Sequence, residues 1–297
     1  MYRSLASLFG YLLVILYLVV PTTSAAFNIE RSKVSARNSY GQTNAKAEDG
    51  HPTRSGGTSY RFEVRDGDCG SFGSWSDCSH DRERQEKMSK VKKEGWFHWS
   101  LFIPADYPII YPTKVALAQF HQDKGAPVLM FQNDRGGYWA DRQKNGESVG
   151  QVKLLSDEEM RGKWTDVLVH AHWSKKWDGF VRVYVNGEVE PRYQKVGATS
   201  DGKSVYFKFG IYRTFMSRYK MNNKNAPVST QIVYFDDLES GKTCKDVTEH
   251  FDCDRILEIE PTLPQPQPPL SYKRDEDDIV AKFNCWINRH TGEADLP

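Results

Sequence analysis

Apolar and polar residues alternate in one short segment after another between residues 58 and 255, with turn residues between the segments. An alternation with a period of two predicts β-strands that bury one face. The clearest segments read YRFEVR, WFHWSLFIP, VALAQFHQ, WTDVLVHAHWS, GFVRVYVNGE, YFKFGIYR and QIVYFDDLES. Only residues 154–164 have a helical pattern. We therefore expect an all-β fold with very little helix, a β-sandwich or jelly roll rather than a βαβ fold.

The pattern changes at both ends of the chain. An apolar run over residues 8–20 leads into small residues, which predicts a signal peptide over residues 1–25. Because the run is shorter than the roughly 20 residues of a membrane-spanning helix, an uncleaved signal anchor is the weaker alternative. Residues 26–57 are polar and aperiodic, and they predict a flexible linker; residues 256–297 predict a Pro-rich spacer and a C-terminal tail. We therefore expect one folded domain over residues 58–255 in a soluble, secreted protein.

Composition limits the partners that this domain can bind. The chain has 40 Lys and Arg against 39 Asp and Glu, a formal net charge of +1. Such a balance gives no global electrostatic attraction to nucleic acid or to an anionic membrane, and we expect neither as a partner. An acidic ligand would need a local basic site. We also expect a monomer.

The five cysteines fit an oxidising compartment. Eight residues separate Cys69 from Cys78, and eight separate Cys244 from Cys253, so two local disulfides are the simplest prediction. A bridge across the domain, such as Cys69 to Cys253, is equally compatible with the sequence. Cys285 stands apart near the C-terminus. A zinc site is not expected, because no CxxC pair and no nearby pair of histidines accompanies the cysteines.

Three predicted strands carry unusual polar side chains at alternate positions. Residues of one parity share one face of a sheet, so these groups would converge on the concave side if the three strands lie in one curved sheet. They are Arg82, Arg84 and Glu86 in RERQEK; Gln119 and His121 in AQFHQ; and Tyr206, Lys208 and Tyr212 in YFKFGIYR. Gly210, between Lys208 and Tyr212, would leave room for a sugar ring against the backbone.

This set of side chains suits β-elimination at a uronic acid. The reaction removes the proton at carbon 5, beside a carboxylate whose charge opposes the developing carbanion. Gln119 with Arg84 or Lys208 could neutralise that carboxylate by hydrogen bonding and charge. His121 is the expected base, and Tyr212 could protonate the leaving oxygen, or act as both base and acid if a nearby cation lowers its pKa.

Other interpretations of the same residues remain open. A histidine or tyrosine on a strand is often structural, and alternating Arg and Glu can form a solvated face of ion pairs. A non-catalytic, lectin-like carbohydrate-binding protein could share the sandwich fold. A glycoside hydrolase would need two carboxylates on one face, whereas alternation sends the adjacent Asp236 and Asp237 to opposite faces.

Seven blocks of the sequence follow one another in an order that resembles the heparin-lyase-like and glucuronan-lyase-like polysaccharide lyases. They read YRFEVRDGD, RERQE, GWFHWSLFIPADYP, AQFHQ, GKWTDVLVHAHWS, GFVRVYVNGE and YFKFGIYR. The resemblance covers about residues 58–240. QFHQ resembles the Gln-x-His strand of that family, and YFKFGIYR resembles its Tyr-Phe-Lys-x-Gly-x-Tyr strand, which alginate lyases of the same fold share. The resemblance implies a β-jelly roll of the concanavalin A-like type that cleaves acidic polysaccharides by β-elimination without an organic cofactor.

The resemblance also implies roles for single residues. It assigns carboxylate neutralisation to Gln119, catalysis to His121 and Tyr212, and a neighbouring cation to Lys208. Arg84 matches the substrate-binding Arg, although Arg82 in the same block is an alternative, and Tyr206 and Arg213 complete the predicted substrate contacts. Some members bind a structural calcium ion, for which Asp236 and Asp237 are candidates, with a turn or cap as the alternative. The sequence predicts no other metal site.

Further residues have a structural and a functional interpretation. We expect the tryptophans at positions 96, 99, 164 and 173 in the core, whereas Trp139, in a loop-like stretch, could stack on a sugar. His170 and His172 share one face, but without a carboxylate nearby in sequence they do not predict a metal site. The favoured prediction is a secreted lyase that acts on a uronic-acid-containing polysaccharide such as glucuronan.

Overall fold

The structure is a computed structural model that describes residues 25–133 and 135–268. Strands dominate it, as the alternating segments predict. The strands are β1 (Ala25–Ala26), β2 (Glu30–Arg31), β3 (Gln42–Lys46), β4 (Thr58–Val64), β5 (Ser71–Phe72), β6 (Trp75–Ser76), β7 (Arg82–Lys90), β8 (Glu94–Phe102), β9 (Lys114–Gln122), β10 (Pro127–Gln132), β11 (Tyr138–Lys144), β12 (Glu147–Leu155), β13 (Trp164–His172), β14 (Phe180–Val185), β15 (Tyr193–Val196), β16 (Val205–Thr214) and β17 (Gln231–Gly241). The α-helices are α1 (Asp157–Met160), α2 (Met216–Asn222) and α3 (Cys253–Ile259).

Two antiparallel sheets pack face to face. One sheet has the order β15-β14-β13-β8-β17-β4-β3, with β1 paired to β17, and the other has the order β12-β11-β10-β9-β16-β7-β2. A separate two-stranded hairpin joins β5 to β6. This arrangement confirms the predicted all-β sandwich. The predicted helix over residues 154–164 is reduced to the single turn of α1, which Ser156 and Glu159 close with a capping box.

Large aromatic side chains fill the space between the two sheets. Phe207, Phe209 and Ile211, the apolar face of β16, are all fully buried there. The ring centroids of Phe207 and Trp99 lie 4.9 Å apart, so the two sheets touch through aromatic contacts. Because alternate residues of a strand point to opposite faces, this burial turns the polar residues of β16 to the outer side of its sheet.

The N-terminal segment corrects one prediction. Residues 26–57 are not a flexible linker, because the Phe27 ring enters the core at 5.3 Å from the ring of Phe207. Strand β3 then extends the first sheet along the edge of β4. The segment is polar because β3 is an edge strand with one exposed side, and a single aromatic anchor leaves no periodic pattern in the sequence.

The predicted domain end at residue 255 is also wrong. Helix α3 continues to Ile259, and Ile256 is fully buried. The carboxylate of Glu260 accepts a hydrogen bond from the Tyr184 hydroxyl at 2.7 Å and lies 2.9 Å from Nδ1 of His170. The start of the predicted spacer is therefore part of the folded domain.

Both predicted local disulfides are present, Cys69–Cys78 and Cys244–Cys253. Residues 1–24 of the predicted signal peptide lie outside the described residues, as do Cys285 and the rest of the tail from residue 269. Among the described residues no helix is both long and apolar enough to cross a membrane.

Candidate active site

Strands β7, β16 and β9 lie side by side in the second sheet, with β16 in the middle. Their registers set the predicted polar residues opposite one another in rows. Tyr206 lies opposite His121, Lys208 opposite Gln119, and Tyr212 opposite Arg84. The next row beyond Tyr212 has Thr214 between Arg82 and Lys114. The three strands therefore bring together on one outer face the side chains that the sequence marks by parity.

A β-bulge interrupts the pairing of β16 with β9 between Phe209 and Tyr212. Gly210 lies in this bulge with a φ of 128°, a conformation that residues with a Cβ rarely adopt. A Cβ on Gly210 would lie 2.2 Å from the carbonyl oxygen of Gln85 on β7 and 2.9 Å from the Phe62 ring. The glycine is therefore required by close packing toward β7 and the core, and this packing accounts for it without a sugar ring.

Glu86 is the buried centre of the site. Its carboxylate is ion-paired with the Lys208 ammonium, accepts a hydrogen bond from Nε2 of Gln119 at 2.6 Å, and lies 3.4 Å from a terminal nitrogen of Arg84. Burial alone would raise the pKa of Glu86, but Lys208 and Arg84 outweigh it and hold the pKa below its usual value. Burial in turn lowers the pKa of Lys208, while Glu86 opposes that effect. Glu86 is therefore an ionised anchor that orients three of the predicted site residues.

The contact with Glu86 also determines how the Gln119 amide is oriented. Its NH2 group must face the carboxylate, because the opposite orientation would bring two acceptor oxygens together. The amide oxygen of Gln119 is buried and has no hydrogen-bond partner among the described residues. Gln119 therefore keeps one N–H that Glu86 does not use, and its amide oxygen is enclosed by protein.

The carboxylate of Asp77 holds Arg84 in place, a contact that the sequence did not predict. Nε of Arg84 and one of its terminal nitrogens donate to the two carboxylate oxygens of Asp77 at 2.6 and 2.7 Å. The guanidinium carbon lies 4.3 Å from the centre of the Tyr212 ring. Arg84 thus stacks on the phenol in a fixed plane, which is the geometry that bidentate pairing imposes on an arginine.

His121 is held in the neutral form. Burial and the charge of Lys208 lower its pKa to about 4. Its Nδ1 lies 2.8 Å from the main-chain oxygen of Gln122 and 2.9 Å from the Tyr206 hydroxyl. Since a carbonyl oxygen can only accept, Nδ1 carries the proton, and Nε2 keeps the lone pair that a base needs.

The two phenols are held in the protonated form. Burial raises the pKa of Tyr212, although Arg84 and Arg82 act in the opposite direction. Burial and the charge of Glu86 raise the pKa of Tyr206 to about 12. A cation does lie against Tyr212, as the alternative of a tyrosine base requires, but it does not overcome burial. A protonated phenol can donate a proton and cannot accept one.

These side chains line a cleft with two connected lobes. The Tyr212 lobe has a volume of about 460 Å³ and includes Tyr212, Ala116, Gln132 and Gln143. The Tyr206 lobe has a volume of about 740 Å³ and includes Tyr206, Phe72 and Met88. Val34, Arg84, His121 and Lys208 line both lobes. Arg84, His121 and Lys208 therefore lie at the junction of the two lobes, whereas Gln119 and Tyr212 line the Tyr212 lobe alone.

The two lobes differ in charge. Arg82 and Lys114 line the Tyr212 lobe, and none of its described lining residues is Asp or Glu. The Tyr206 lobe is lined by Lys33 and Lys90 but also by Glu30 and Asp123. Lys114 was not singled out from the sequence, because a lysine at the start of a strand has no distinctive pattern. The Tyr212 lobe is the more favourable environment for an anionic ligand.

Arg213 does not reach the cleft, and its predicted substrate contact is wrong. It shares the parity of Phe207, Phe209 and Ile211, and it is fully buried on the inner side of the sheet. There its guanidinium donates to the Glu83 carboxylate at 2.6 Å and to the main-chain oxygen of Ser229 at 2.8 Å. Arg82 lines the Tyr212 lobe, with its guanidinium 5.0 Å from the Trp75 ring centre.

The remaining candidates lie away from the cleft. Asp236 accepts hydrogen bonds from the backbone of Arg54 and Ser55, and Asp237 lies 2.9 Å from Nε2 of His250. Among the described residues no group of three or more His, Cys, Asp or Glu could hold a metal ion. Calcium binding therefore stays a prediction without a structural candidate. Trp139 lies on β11 rather than in a loop, and it is not among the residues that line either lobe.

The predicted core tryptophans and His170 take structural positions. Trp96, Trp99 and Trp173 are buried, as expected of core residues, whereas Trp164 is only partly buried. His170 stacks on Trp96 with ring centroids 4.0 Å apart and contacts Glu260, a carboxylate 90 positions later. His170 thus holds the C-terminal segment in place.

The model of the family described as "Polysaccharide lyase" matches residues 24–239, most of the chain. The chain belongs to the polysaccharide lyase family. As a member of that family it is a carbon–oxygen lyase that acts on polysaccharides. No curated protein matches the sequence of this lyase.

Solved structures with a similar fold include an endo-β-1,4-glucuronan lyase from the fungus Trichoderma reesei. It has a TM-score of 0.51 at 14% identity, over 74% of this lyase and 93% of the fungal chain. An alginate lyase of polysaccharide lyase family 7 has a TM-score of 0.45 at 14% identity, over 69% and 83% of the two chains. An alginate lyase from Pseudomonas aeruginosa has a TM-score of 0.40 at 16% identity, over 72% and 88%. The likeness to the first of these confirms the predicted jelly-roll fold.

Proposed function

We propose that this lyase cleaves a uronic-acid-containing polysaccharide by β-elimination, with a polymer of the glucuronan type as substrate. The products would be two shorter chains, one of which ends in an unsaturated uronate. The reaction needs no organic cofactor. His121 and Tyr212 would act as base and acid, and Gln119 and Arg84 would hold the substrate carboxylate.

The proposed steps use the protonation states of the free protein. Nε2 of His121 takes the proton from carbon 5 of the uronate, and the electrons of that C–H bond form the double bond between carbons 4 and 5. The bond from carbon 4 to the glycosidic oxygen breaks, and its electron pair stays on the oxygen. Tyr212 donates its phenolic proton to that oxygen, which leaves as a hydroxyl group.

The substrate carboxylate must lose part of its charge before carbon 5 becomes acidic. Gln119 and Arg84 line the same lobe as His121, and each has N–H groups beyond those that Glu86 and Asp77 accept. Hydrogen bonds from ordered donors in a site of low dielectric can stabilise the developing charge by several kcal/mol. These donors need no rearrangement, because Glu86 and Asp77 already hold them.

The observation that carries the proposal is the state of the two carboxylates that contact the predicted site residues. Glu86 is paired with Lys208, and Asp77 is paired with Arg84. A glycoside hydrolase needs one carboxyl group that is protonated and a second that is free to act as base or nucleophile. Neither Glu86 nor Asp77 is available for these tasks. A neutral imidazole and a protonated phenol are available, and they suit elimination.

The nature of the substrate and the cellular location rest on further observations. The fold likeness to the glucuronan lyase favours a β-linked glucuronate polymer. The cations of the Tyr212 lobe favour an acidic polysaccharide in general. Two disulfides support export to an oxidising compartment, which agrees with the predicted signal peptide and with a secreted protein. We propose that it acts there as a monomer.

Ultraviolet absorbance of the unsaturated uronate tests the proposal. We expect an increase during incubation with glucuronan, and we would compare alginate, heparin and pectic polymers. His121→Ala should lower kcat by roughly 100-fold or more while binding of the polymer survives. New reducing ends without absorbance would identify a hydrolase, and binding by the wild type without any product would identify a lectin-like protein. Either result would overturn the proposal.

A further inference from the structure

The segment that connects β4 to β7 forms one wall of the cleft. It contains the hairpin of β5 and β6, and the Cys69–Cys78 disulfide closes it. Phe72 of this hairpin lines the Tyr206 lobe, and Trp75 lines the Tyr212 lobe. Asp77, the partner of Arg84, directly precedes Cys78. The disulfide is therefore one residue away from the carboxylate that holds a candidate substrate-binding side chain.

Every polar atom of Asp77 has a partner. Its backbone N–H donates to Gly70 at 2.9 Å, and its carbonyl oxygen accepts from the Arg82 backbone at 2.9 Å. One carboxylate oxygen accepts from Nε1 of Trp75 at 2.9 Å as well as from Arg84, and the other accepts from Arg84. Asp77 is fully buried. Such a residue has a single position and orientation, and it transmits both to Arg84.

Little apolar packing holds this wall in place. None of the described residues between 65 and 81 belongs to either hydrophobic cluster of the domain. The Cys69 end is tied down by polar contacts, since the Asp68 carboxylate accepts hydrogen bonds from the side chains of Asn38 and Tyr40. The Asp77 end is connected to that anchor by the disulfide. A cross-link restricts the conformations of such a loop most where no core does so.

Arg84 would take another position without Asp77. Its remaining anionic neighbour is Glu86, 3.4 Å from a terminal nitrogen, which already holds Lys208 and Gln119. Loss of the bidentate pair would let the guanidinium turn toward Glu86 and leave the Tyr212 ring. The donors that Arg84 offers to the cleft would then be lost or misdirected.

We propose that Asp77 is a positioning residue of the lyase reaction, and that the Cys69–Cys78 disulfide maintains full activity by holding Asp77 against Arg84. The inference rests on the proposed function only in that Arg84 meets the substrate carboxylate. Asp77 itself touches no substrate. Its effect is expected on kcat more than on KM, because a displaced Arg84 fails to meet charge that develops during the reaction.

A double-mutant cycle tests the link between Asp77 and Arg84. Asp77→Asn keeps the shape of the side chain but removes its charge, and Arg84→Lys keeps a charge but cannot form the bidentate pair. We expect Asp77→Asn to lower kcat by roughly 100-fold, the size of effect that misplacement of a reacting group produces. In the Arg84→Lys background, Asp77→Asn should cause little further loss. Two losses that simply multiply would overturn the inference.

A milder variant covers the case in which Asp77→Asn does not fold. Trp75→Phe keeps an aromatic ring in the cleft wall but removes the N–H that donates to Asp77. We expect a several-fold lower kcat, a larger change than that in KM. An unchanged kcat in Trp75→Phe would contradict the positioning role.

The disulfide is tested with a matched pair of double variants. Cys69→Ser with Cys78→Ser removes the bridge of the cleft wall, and Cys244→Ser with Cys253→Ser removes the bridge that packs with Trp96 and Leu168 in the smaller hydrophobic cluster. With folding checked by circular dichroism, we expect a loss of kcat of at least roughly 10-fold in the first and wild-type kcat in the second. Equal kcat in both would overturn the role of the disulfide. If the wild type itself forms no unsaturated product, the proposed function fails instead.

Discussion

Glu86 and Lys208 form a buried ion pair beneath the cleft, so the lysine that the sequence marks as a cation for the substrate already has an anionic partner. We expect Glu86→Gln to lower kcat/KM by roughly 100-fold, because Gln119, Lys208 and Arg84 lose the anchor they share. The unpaired lysine should also lower the free energy of unfolding by about 3 kcal/mol. Denaturant unfolding and initial rates would measure the two effects.

Glu83 provides the matched control for that prediction. It lies on the same strand but on the opposite face, where it is paired with the buried Arg213. Glu83→Gln should destabilise the protein by a similar amount, yet leave kcat unchanged when it is measured well below the melting temperature. A loss of kcat in Glu83→Gln as large as that in Glu86→Gln would mean that destabilisation, rather than the site, explains both.

The pH dependence of the reaction should reflect the lowered pKa of His121. The base must be neutral, and burial together with Lys208 lowers the pKa of this histidine to about 4. We therefore expect kcat/KM to stay level as the pH falls through 6.5, the usual value for histidine, and to decline only near pH 4. A decline centred near pH 6.5 would contradict either the neutral state of His121 or its role as base.

The decline of kcat/KM at low pH must be distinguished from unfolding, because a lowered histidine pKa also makes the free energy of unfolding depend on pH. His98, which is buried, also has a pKa lowered to about 4, mainly by desolvation. Between pH 6.5 and pH 4 the unfolded chain binds protons that the folded protein does not, so the free energy of unfolding falls as the pH falls. Circular dichroism at each pH identifies the range in which the protein remains folded.

Arg82 and Lys114 flank Thr214 in the row beyond Tyr212, and we expect them to bind a second carboxylate of the substrate chain. Arg82→Gln with Lys114→Gln should raise KM by roughly 10-fold with little change in kcat, since two partly exposed ion pairs with the substrate contribute about 1 kcal/mol or less each. The variant should also show a weaker dependence of KM on salt. Lys90→Gln in the Tyr206 lobe, where acidic side chains are present, is the control and should change KM less. Equal changes of KM in the double variant and in Lys90→Gln would contradict a role for the charge difference between the lobes.

The alternation of polar and apolar residues predicted both the sandwich and the cleft face, because strand parity converts directly into a side of the sheet. Parity also accounts for the error at Arg213, which has the parity of the buried Phe207. Asp77 could not be predicted in this way, since its contact with Arg84 depends on how a loop closes. Its position next to Cys78 was the only available signal.

The predicted domain limits are wrong for a related reason. Periodicity detects an element with one buried face, whereas Phe27 anchors its segment through a single ring and β3 is a polar edge strand. At the other end, Glu260 joins the fold through its carboxylate, in a stretch whose prolines suggest a spacer. Long-range contacts made by single residues leave no periodic pattern in a sequence.

The bulge at Gly210 can be tested through stability. Gly210→Ala forces a Cβ to 2.2 Å from the Gln85 carbonyl oxygen at a φ of 128°, so it should lower the free energy of unfolding by at least about 2 kcal/mol. Gly150→Ala is the control, because this exposed glycine of β12 has no atom within 4 Å of the added Cβ. It should be neutral or slightly stabilising. Equal stability of the two variants would contradict the packing role of Gly210. A Gly210→Ala protein that keeps wild-type stability and loses only substrate binding would instead support a role in making room for a sugar.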